Sequence, residues 1–300
     1  MITRTLMLES PISLSTKHKQ LLLTNKETGV QTQVPIEDIG MIIFDNKEII
    51  FTMSVVQQLT ENNVAVVFCN DKHLPQSKLL NLDGNSIQTE RFRYQIDASV
   101  PLKKQLWQQT VKQKIRNQAG LLRHINKNDE PLIYMANQVK SGDSTNEEAQ
   151  ASRYYWSCLF DDFKVSFKRD RMGMPPNNLL NYGYTILRAA VARALTGSGL
   201  LPTLGIHHRN KYNAYCLADD IMEPYRPWVD SEVVMIMHDY TDYHILSRDI
   251  KSRLLKVLTH DVTFENKSSP LLVALSSTTS SLANCFTGTE KQIRYPSFIG

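Results

Sequence analysis

Residues 100–128 read VPLKKQLWQQTVKQKIRNQAGLLRHINKN, and the fold turns on this stretch. Leu102, Leu106, Val111, Ile115, Leu121, Leu122 and Ile125 recur at roughly helical spacing, which predicts a long helix. The same period runs through residues 132–139, 149–159, 179–195 and 231–236. Upstream the pattern is different. Residues 2–8 and 20–24 are short extended candidates, and Gly29 marks a turn between residues 19–24 and 30–35, the pattern of a hairpin. Residues 39–44 and 64–69 are continuous apolar runs, as buried strands require. Ser54 reads as the N-cap of a short helix, and Asp83-Gly84 is a turn signal. The expectation is an α+β chain: a small N-terminal β-rich domain, residues 1–85, then a larger all-α domain, residues 86–300, joined near residues 83–98.

The quoted stretch also carries charge. Lys103, Lys104, Lys112, Lys114, Arg116, Arg123 and Lys127 stand in it without one Asp or Glu. Residues 1–98 hold 9 Lys/Arg against 11 Asp/Glu, a net of −2, whereas residues 99–300 hold 25 against 19, a net of +6. An acid-free basic helix suits a polyanion such as nucleic acid; a solvated helix face is the alternative. The 300 residues are 42% hydrophobic, enough for a sizeable core. Cys69, Cys158, Cys216 and Cys285 are scattered and form no CxxC pair, which argues against a zinc site or a disulfide framework. No run of roughly 18 apolar residues and no leader pattern is present, so a cytoplasmic chain with no membrane role is expected.

Three positions downstream suggest chemistry. Glu148 follows Ser144 and Thr145, either of which can cap a helix, and so falls in a first turn; complementing the helix dipole is the simpler role for it. His207 and His208 are adjacent, and Asp219-Asp220 follow Cys216-Leu-Ala, where either acid could be an N-cap. One imidazole with two carboxylates suits Mg²⁺ or Mn²⁺ better than structural zinc. Such a cation stabilises charge on a phosphoryl oxygen.

The surrounding sequence carries a resemblance. Asn146-Glu-Glu-Ala-Gln-Ala-Ser-Arg-Tyr-Tyr155-Trp156, Leu180-Asn-Tyr-Gly-Tyr-Thr-Ile-Leu, Gly199-Leu-Leu-Pro-Thr-Leu-Gly-Ile-His-His208 and Leu217-Ala-Asp-Asp220-Ile-Met-Glu-Pro-Tyr-Arg226-Pro stand in order over about 80 residues. This resembles the CRISPR-associated integrase of spacer acquisition, the Cas-one family, in its type II form. The resemblance implies a metal site of Glu148, His208 and Asp220, with His207 and Asp219 as second choices and Glu147 as a further neighbour. It implies a β-sandwich-like N-terminal domain that dimerises the chain and a helical catalytic domain. Two such dimers would flank a dimer of a small ferredoxin-like companion subunit in a heterohexamer, with an effector nuclease and a ring-shaped accessory subunit assisting. The implied substrates are duplex DNA with single-stranded 3′ ends and CRISPR leader-repeat DNA, in antiviral defence.

The reaction to expect is transesterification: a DNA 3′-hydroxyl attacks a repeat-edge phosphodiester. It needs no nucleotide energy source, in keeping with the absence of a GxxxxGK[ST] loop. Lys103, Lys104, Lys112, Arg116, Lys164, Lys168, Arg169 and Arg171 are the candidates for backbone phosphates. Tyr154, Tyr155 and Tyr182 are candidates for stacking on splayed nucleotides, with core packing as the competing role. Arg226, beside Glu223, serves either phosphate or an internal ion pair. A structure-specific nuclease on branched DNA and a non-catalytic DNA-end-binding scaffold are the rival functions. A flexible end is expected for residues 288–300.

Overall fold

The computed structural model describes residues 4–82, 84–163 and 167–298. Two four-stranded sheets occupy the front of the chain. The first has the order β1 (Arg4–Leu8), β5 (Ile39–Phe44), β7 (Ala65–Cys69), β8 (Pro75–Leu79), parallel except for β8. The second has the order β4 (Gln31–Pro35), β3 (Gln20–Asn25), β2 (Ile12–Lys17), β6 (Ile50–Phe51). The hairpin expected around Gly29 is β3–β4, paired Gln20 to Pro35 and Thr24 to Gln31. Gly29, at φ 70°, closes its loop.

The sheets face one another across an apolar layer of Leu14, Leu21, Ile42, Phe44, Leu59 and Val66. Helix α1 (Met53–Glu61) closes one side. It starts a residue before Ser54, whose hydroxyl is 2.7 Å from that of Thr16 and caps nothing. Alternate residues of β5 and β7, Met41, Ile43, Ala65 and Val67, point the other way into the helical core. Both faces of these strands are therefore covered, which is why their sequences run apolar without alternation.

The remainder is largely helical: α2 (Gln88–Asp97), α3 (Val100–His124), α4 (Glu130–Gln138), α5 (Glu147–Leu159), α6 (Asn177–Gly197), α7 (Cys216–Met222), α8 (Arg226–Asp239), α9 (Arg248–Lys256) and α10 (Leu271–Thr287). One correction to an all-α reading is a β-hairpin, β9 (Asp261–Phe264) with β10 (Lys267–Pro270), turned by Glu265 and Asn266 at positive φ. Helix α3 is not a solvated basic rod. It runs through the core, burying Leu106, Trp107, Val111, Ile115, Leu121 and Leu122. Its basic residues divide: Lys114 turns inward and Arg123 pairs with Asp129, while Lys127, just past its end, pairs with Asp161 and Asp162. Among the described residues Lys103, Lys104, Lys112 and Arg116 have no acidic partner and reach solvent to differing degrees.

A second correction concerns residues 288–298. Residues 288–290 close the end of α10 and residues 291–298 pack along α3 instead of ending loosely, with Tyr295 bonded to Thr110 at 2.9 Å. No helix among the described residues is long and apolar enough to cross a membrane.

Candidate active site

Helix α5 opens with Glu147 and Glu148. Neither Ser144 nor Thr145 caps it. The Asp143 carboxylate does, accepting from the backbone N–H of Glu147 at 2.9 Å and of Glu148 at 3.1 Å. The Glu148 side chain is then free to face α3, and its Oε1 lies 2.7 Å from Lys114 Nζ. Lys114 also lies 2.6 Å from Oε2 of Glu223, and Arg226 pairs with the other oxygen of Glu223 at 2.7 Å. The expected ambiguity of Arg226 resolves to this ion pair.

Burial alone would lower the Lys114 ammonium, but Glu223 and Glu148 raise it overall. Burial would raise Glu223, but Arg226 and Lys114 lower it overall. Two carboxylates thus gather around one ammonium, with a guanidinium behind. Oε2 of Glu223 is buried, and among the described residues no aligned hydrogen bond reaches it.

His208 follows a loop held by α2. The buried Gln95 amide donates to the carbonyls of Leu201 and Leu204, both at 3.0 Å, and accepts from Leu201 N–H at 2.8 Å. The loop wraps around Asp220, which is 0% exposed. Asp220 Oδ2 accepts from the N–H of Ile206 at 2.7 Å and of His207 at 3.0 Å; Oδ1 accepts from His208 N–H at 3.2 Å and meets His208 Nδ1 at 2.5 Å. A side chain at Gly205 would run into this cradle, with its Cβ 2.7 Å from Asp220 Oδ2. Asp219 and Asp220 lie inside α7, not at its N-cap as the sequence allowed.

The Asp220 hydrogen bond raises His208, and the charges of Glu223 and Glu148 push the same way. The His208 side chain is 43% exposed, and with Nδ1 committed its Nε2 is the nitrogen left for a ligand. His207 instead stacks flat on Trp107, ring centres 4.2 Å apart. Asp219 is consumed by Arg188 and Asn213, both at 2.6 Å. Glu147 forms no ion pair among the described residues.

As placed, no three His, Cys, Asp or Glu side chains among the described residues stand close enough to hold a metal ion together. The donor set nevertheless fits one. Two carboxylates already surround a cation, one carboxylate oxygen lacks aligned donors, and a neighbouring imidazole is held in one orientation.

A cleft of about 410 Å³ borders this cluster. Leu74 and Pro75 line it together with four arginines, Arg169, Arg171, Arg188 and Arg226. Lys78 sits nearby over the Tyr215 ring; burial and then Arg188 lower its ammonium to about 8. Arg169 is tied to Asn177 and Asn181, each at 2.8 Å. Arg171 and Lys168 are exposed, and Lys164 lies outside the described residues.

Two of the tyrosines are buried. Tyr155 is 0% exposed and donates to Asp230 at 2.7 Å, and Tyr182 is 1% exposed. Both pack in the helical core, and Tyr182 also lines the cleft. Tyr154 is tied through its hydroxyl to the Asn128 carbonyl.

Sequence reasoning did not assign Lys114, Arg188 or Glu223 to the site. Signals existed for two of them. Lys114 stands three residues after Val111, on the apolar side of its helix, where a buried ammonium demands acids. Glu223 stands three residues after Asp220, on the same helical side.

Acids that suit a hard cation, set beside guanidinium groups that suit phosphate, define a class: enzymes that act on phosphate esters. The family model described as CRISPR associated protein Cas1 matches residues 6–244, and the chain belongs to that family. It is 36% identical over 303 residues, spanning 100% of this chain and 97% of the relative, to the CRISPR-associated endonuclease Cas1 of Neisseria meningitidis serogroup C (strain 8013). Its fold is similar to a casposase bound to integration product, with a TM-score of 0.79 and 18% identity over 99% of this chain and 93% of that one. It is also similar to a Cas6-RT-Cas1–Cas2 complex, with a TM-score of 0.70 and 20% identity over 97% of this chain and 36% of that one.

Proposed function

We propose that this chain joins short DNA duplexes to a CRISPR repeat array with Glu148, His208 and Glu223 as the ligands of one divalent cation. As a Cas1 family member it is a metal-dependent DNA endonuclease and integrase of spacer acquisition. The convergence of Glu148 and Glu223 on a single cationic point carries the ligand reading. Asp220, expected as a ligand from the resemblance, is reassigned: with its oxygens turned to three backbone N–H groups and the imidazole, it fixes His208. Lys114 holds the two glutamates together where Mg²⁺ or Mn²⁺ would be held by them.

The bound cation would supply charge stabilisation at the reacting phosphate. The remaining tasks fall to side chains. Arg171 and Arg188 grip backbone phosphates in the cleft, and Lys103, Lys104, Lys112 and Arg116 on α3 extend that contact along a duplex. The 3′-hydroxyl oxygen forms an ester bond to phosphorus as the old phosphorus–oxygen bond breaks, and the departing 3′ oxygen takes up a proton. One ester replaces another.

DNA is the substrate and a Cas2-type subunit the partner, following the Cas1–Cas2 assembly to which the fold is similar. The finer arrangement belongs to the same proposal: residues 1–85 dimerise the chain, residues 86–300 catalyse, and two dimers flank the companion dimer with 3′ ends reaching the cleft.

The test is strand joining of a labelled short duplex to a repeat-bearing plasmid. Glu148→Gln and Glu223→Gln should each abolish joining while duplex binding persists, and His208→Ala should lose far more joining than His207→Ala. Full joining by Glu223→Gln contradicts the ligand set.

A further inference from the structure

Residues 291–298 lie along the inner side of α3, and the helix meets them with polar groups at successive turns. Gln109 donates to the Lys291 carbonyl at 3.1 Å and accepts from Ile293 N–H at 2.8 Å. Thr110 bonds Tyr295, and Gln113 donates to the Pro296 carbonyl at 3.2 Å. Asn117 completes the series with all four of its hydrogen-bonding positions used. Its amide donates to the carbonyls of Pro224, at 2.7 Å, and Pro296, at 3.2 Å; its oxygen accepts from Phe298 N–H, at 3.1 Å, and Gln113, at 2.9 Å. Pro224 directly follows Glu223, and Lys114 is one turn before Asn117 on the same helix.

One turn further, Gly120 is buried inside a 25-residue helix. Glycine there costs helix stability of about 1 kcal/mol against alanine. Contact explains it: a Cβ at Gly120 would collide with the carbonyl oxygen of Phe298. The helix therefore gives up apolar packing at four positions and helix propensity at a fifth in order to seat this segment.

We infer that residues 291–298 are a strap that positions the metal site, acting through Asn117, which ties the strap to the Pro224 carbonyl and so sets Glu223 against Lys114 and Glu148. Asn117 is a positioning residue, and the inference rests on Glu223 being a ligand. Without Asn117 the Pro224 and Pro296 carbonyls each lose a donor and Phe298 N–H loses its acceptor, and the turn bearing Glu223 keeps one fewer link to α3.

The experiment measures Mn²⁺ affinity of the full chain by electron paramagnetic resonance of free Mn²⁺, with folding followed by circular dichroism melts. Asn117→Ala and Gly120→Ala should each weaken Mn²⁺ binding by about tenfold. Strand joining should then require more Mn²⁺, with kcat restored at saturation. Gly120→Ala raises helix propensity and leaves Asn117 in place, so it decides the matter if Asn117→Ala does not fold. Wild-type Mn²⁺ affinity in the folded variants overturns the strap, as does a kcat loss that Mn²⁺ does not repair. Glu223→Gln separates the two readings. Unchanged Mn²⁺ binding there defeats the ligand assignment itself; lost binding there with wild-type affinity in both strap variants defeats the strap alone.

Discussion

Lys114 shows how one side chain reports on a site. A lysine on the buried side of a helix is tolerated where acids meet it, and here two do. Removing it leaves Glu148 and Glu223 facing each other across a desolvated gap. Lys114→Ala should therefore destabilise the metal-free protein by about 3 kcal/mol. Mn²⁺ should then raise the melting temperature of the variant by more than it raises that of the wild type, because ligand binding to the native state adds stability in proportion to affinity. A smaller Mn²⁺ response in the variant would show that the ammonium does not stand in the cation's place. The same residue marks where reading the sequence stopped. Lys114 was visible as one of seven cations without nearby acids, but its partners are 34 and 109 positions away in the chain. Helical spacing alone gives the side it occupies, not what it meets.

Helices α5, α6 and α8 are joined by one buried acid. Asp230 on α8 accepts from Tyr155 on α5 and from Tyr184 on α6. Burial raises the Asp230 carboxyl to about 6, against the opposing pull of the two tyrosines, Arg226 and Arg169. In the unfolded chain it titrates near ~3.9. Between those values the native state holds a proton that the unfolded state has released, so stability falls as pH rises from about 4 to about 6. The loss tends toward about 3 kcal/mol as an upper bound. Asp230→Asn removes this contribution. Urea melts from pH 4 to pH 7 should show the wild type losing stability relative to the variant across that window, and a difference that stays constant with pH contradicts the assignment. Elements of this kind were half legible. The apolar runs of β5 and β7 and the period of α3 and α6 announced their structures. The β9–β10 hairpin did not, because its turn uses Glu265 and Asn266 instead of an Asn-Gly pair. The tyrosines in the helical motifs had two readings, and only packing separates them.

Across the whole molecule the β-rich front and the helical body are pinned together. Asp45 at the end of β5 meets Lys251 of α9 at 2.9 Å, both buried, and Glu9 meets Arg248 at 2.7 Å. The sequence conveyed the order of parts and the excess positive charge of the second. It did not convey the arginine cleft, whose lining comes from loops and helices distant in the chain, or which acid turns toward the cation. Two carboxylates three residues apart look alike in sequence. In the fold Asp220 turns to the His208 loop and Glu223 to Lys114. The decisive measurement is anomalous scattering from crystals soaked in Mn²⁺. A peak within about 2.5 Å of Glu148, Glu223 and His208 Nε2, with Asp220 still bonded to Nδ1, is expected. A peak bound by Asp220 and not Glu223, or one away from Glu148 altogether, would contradict it.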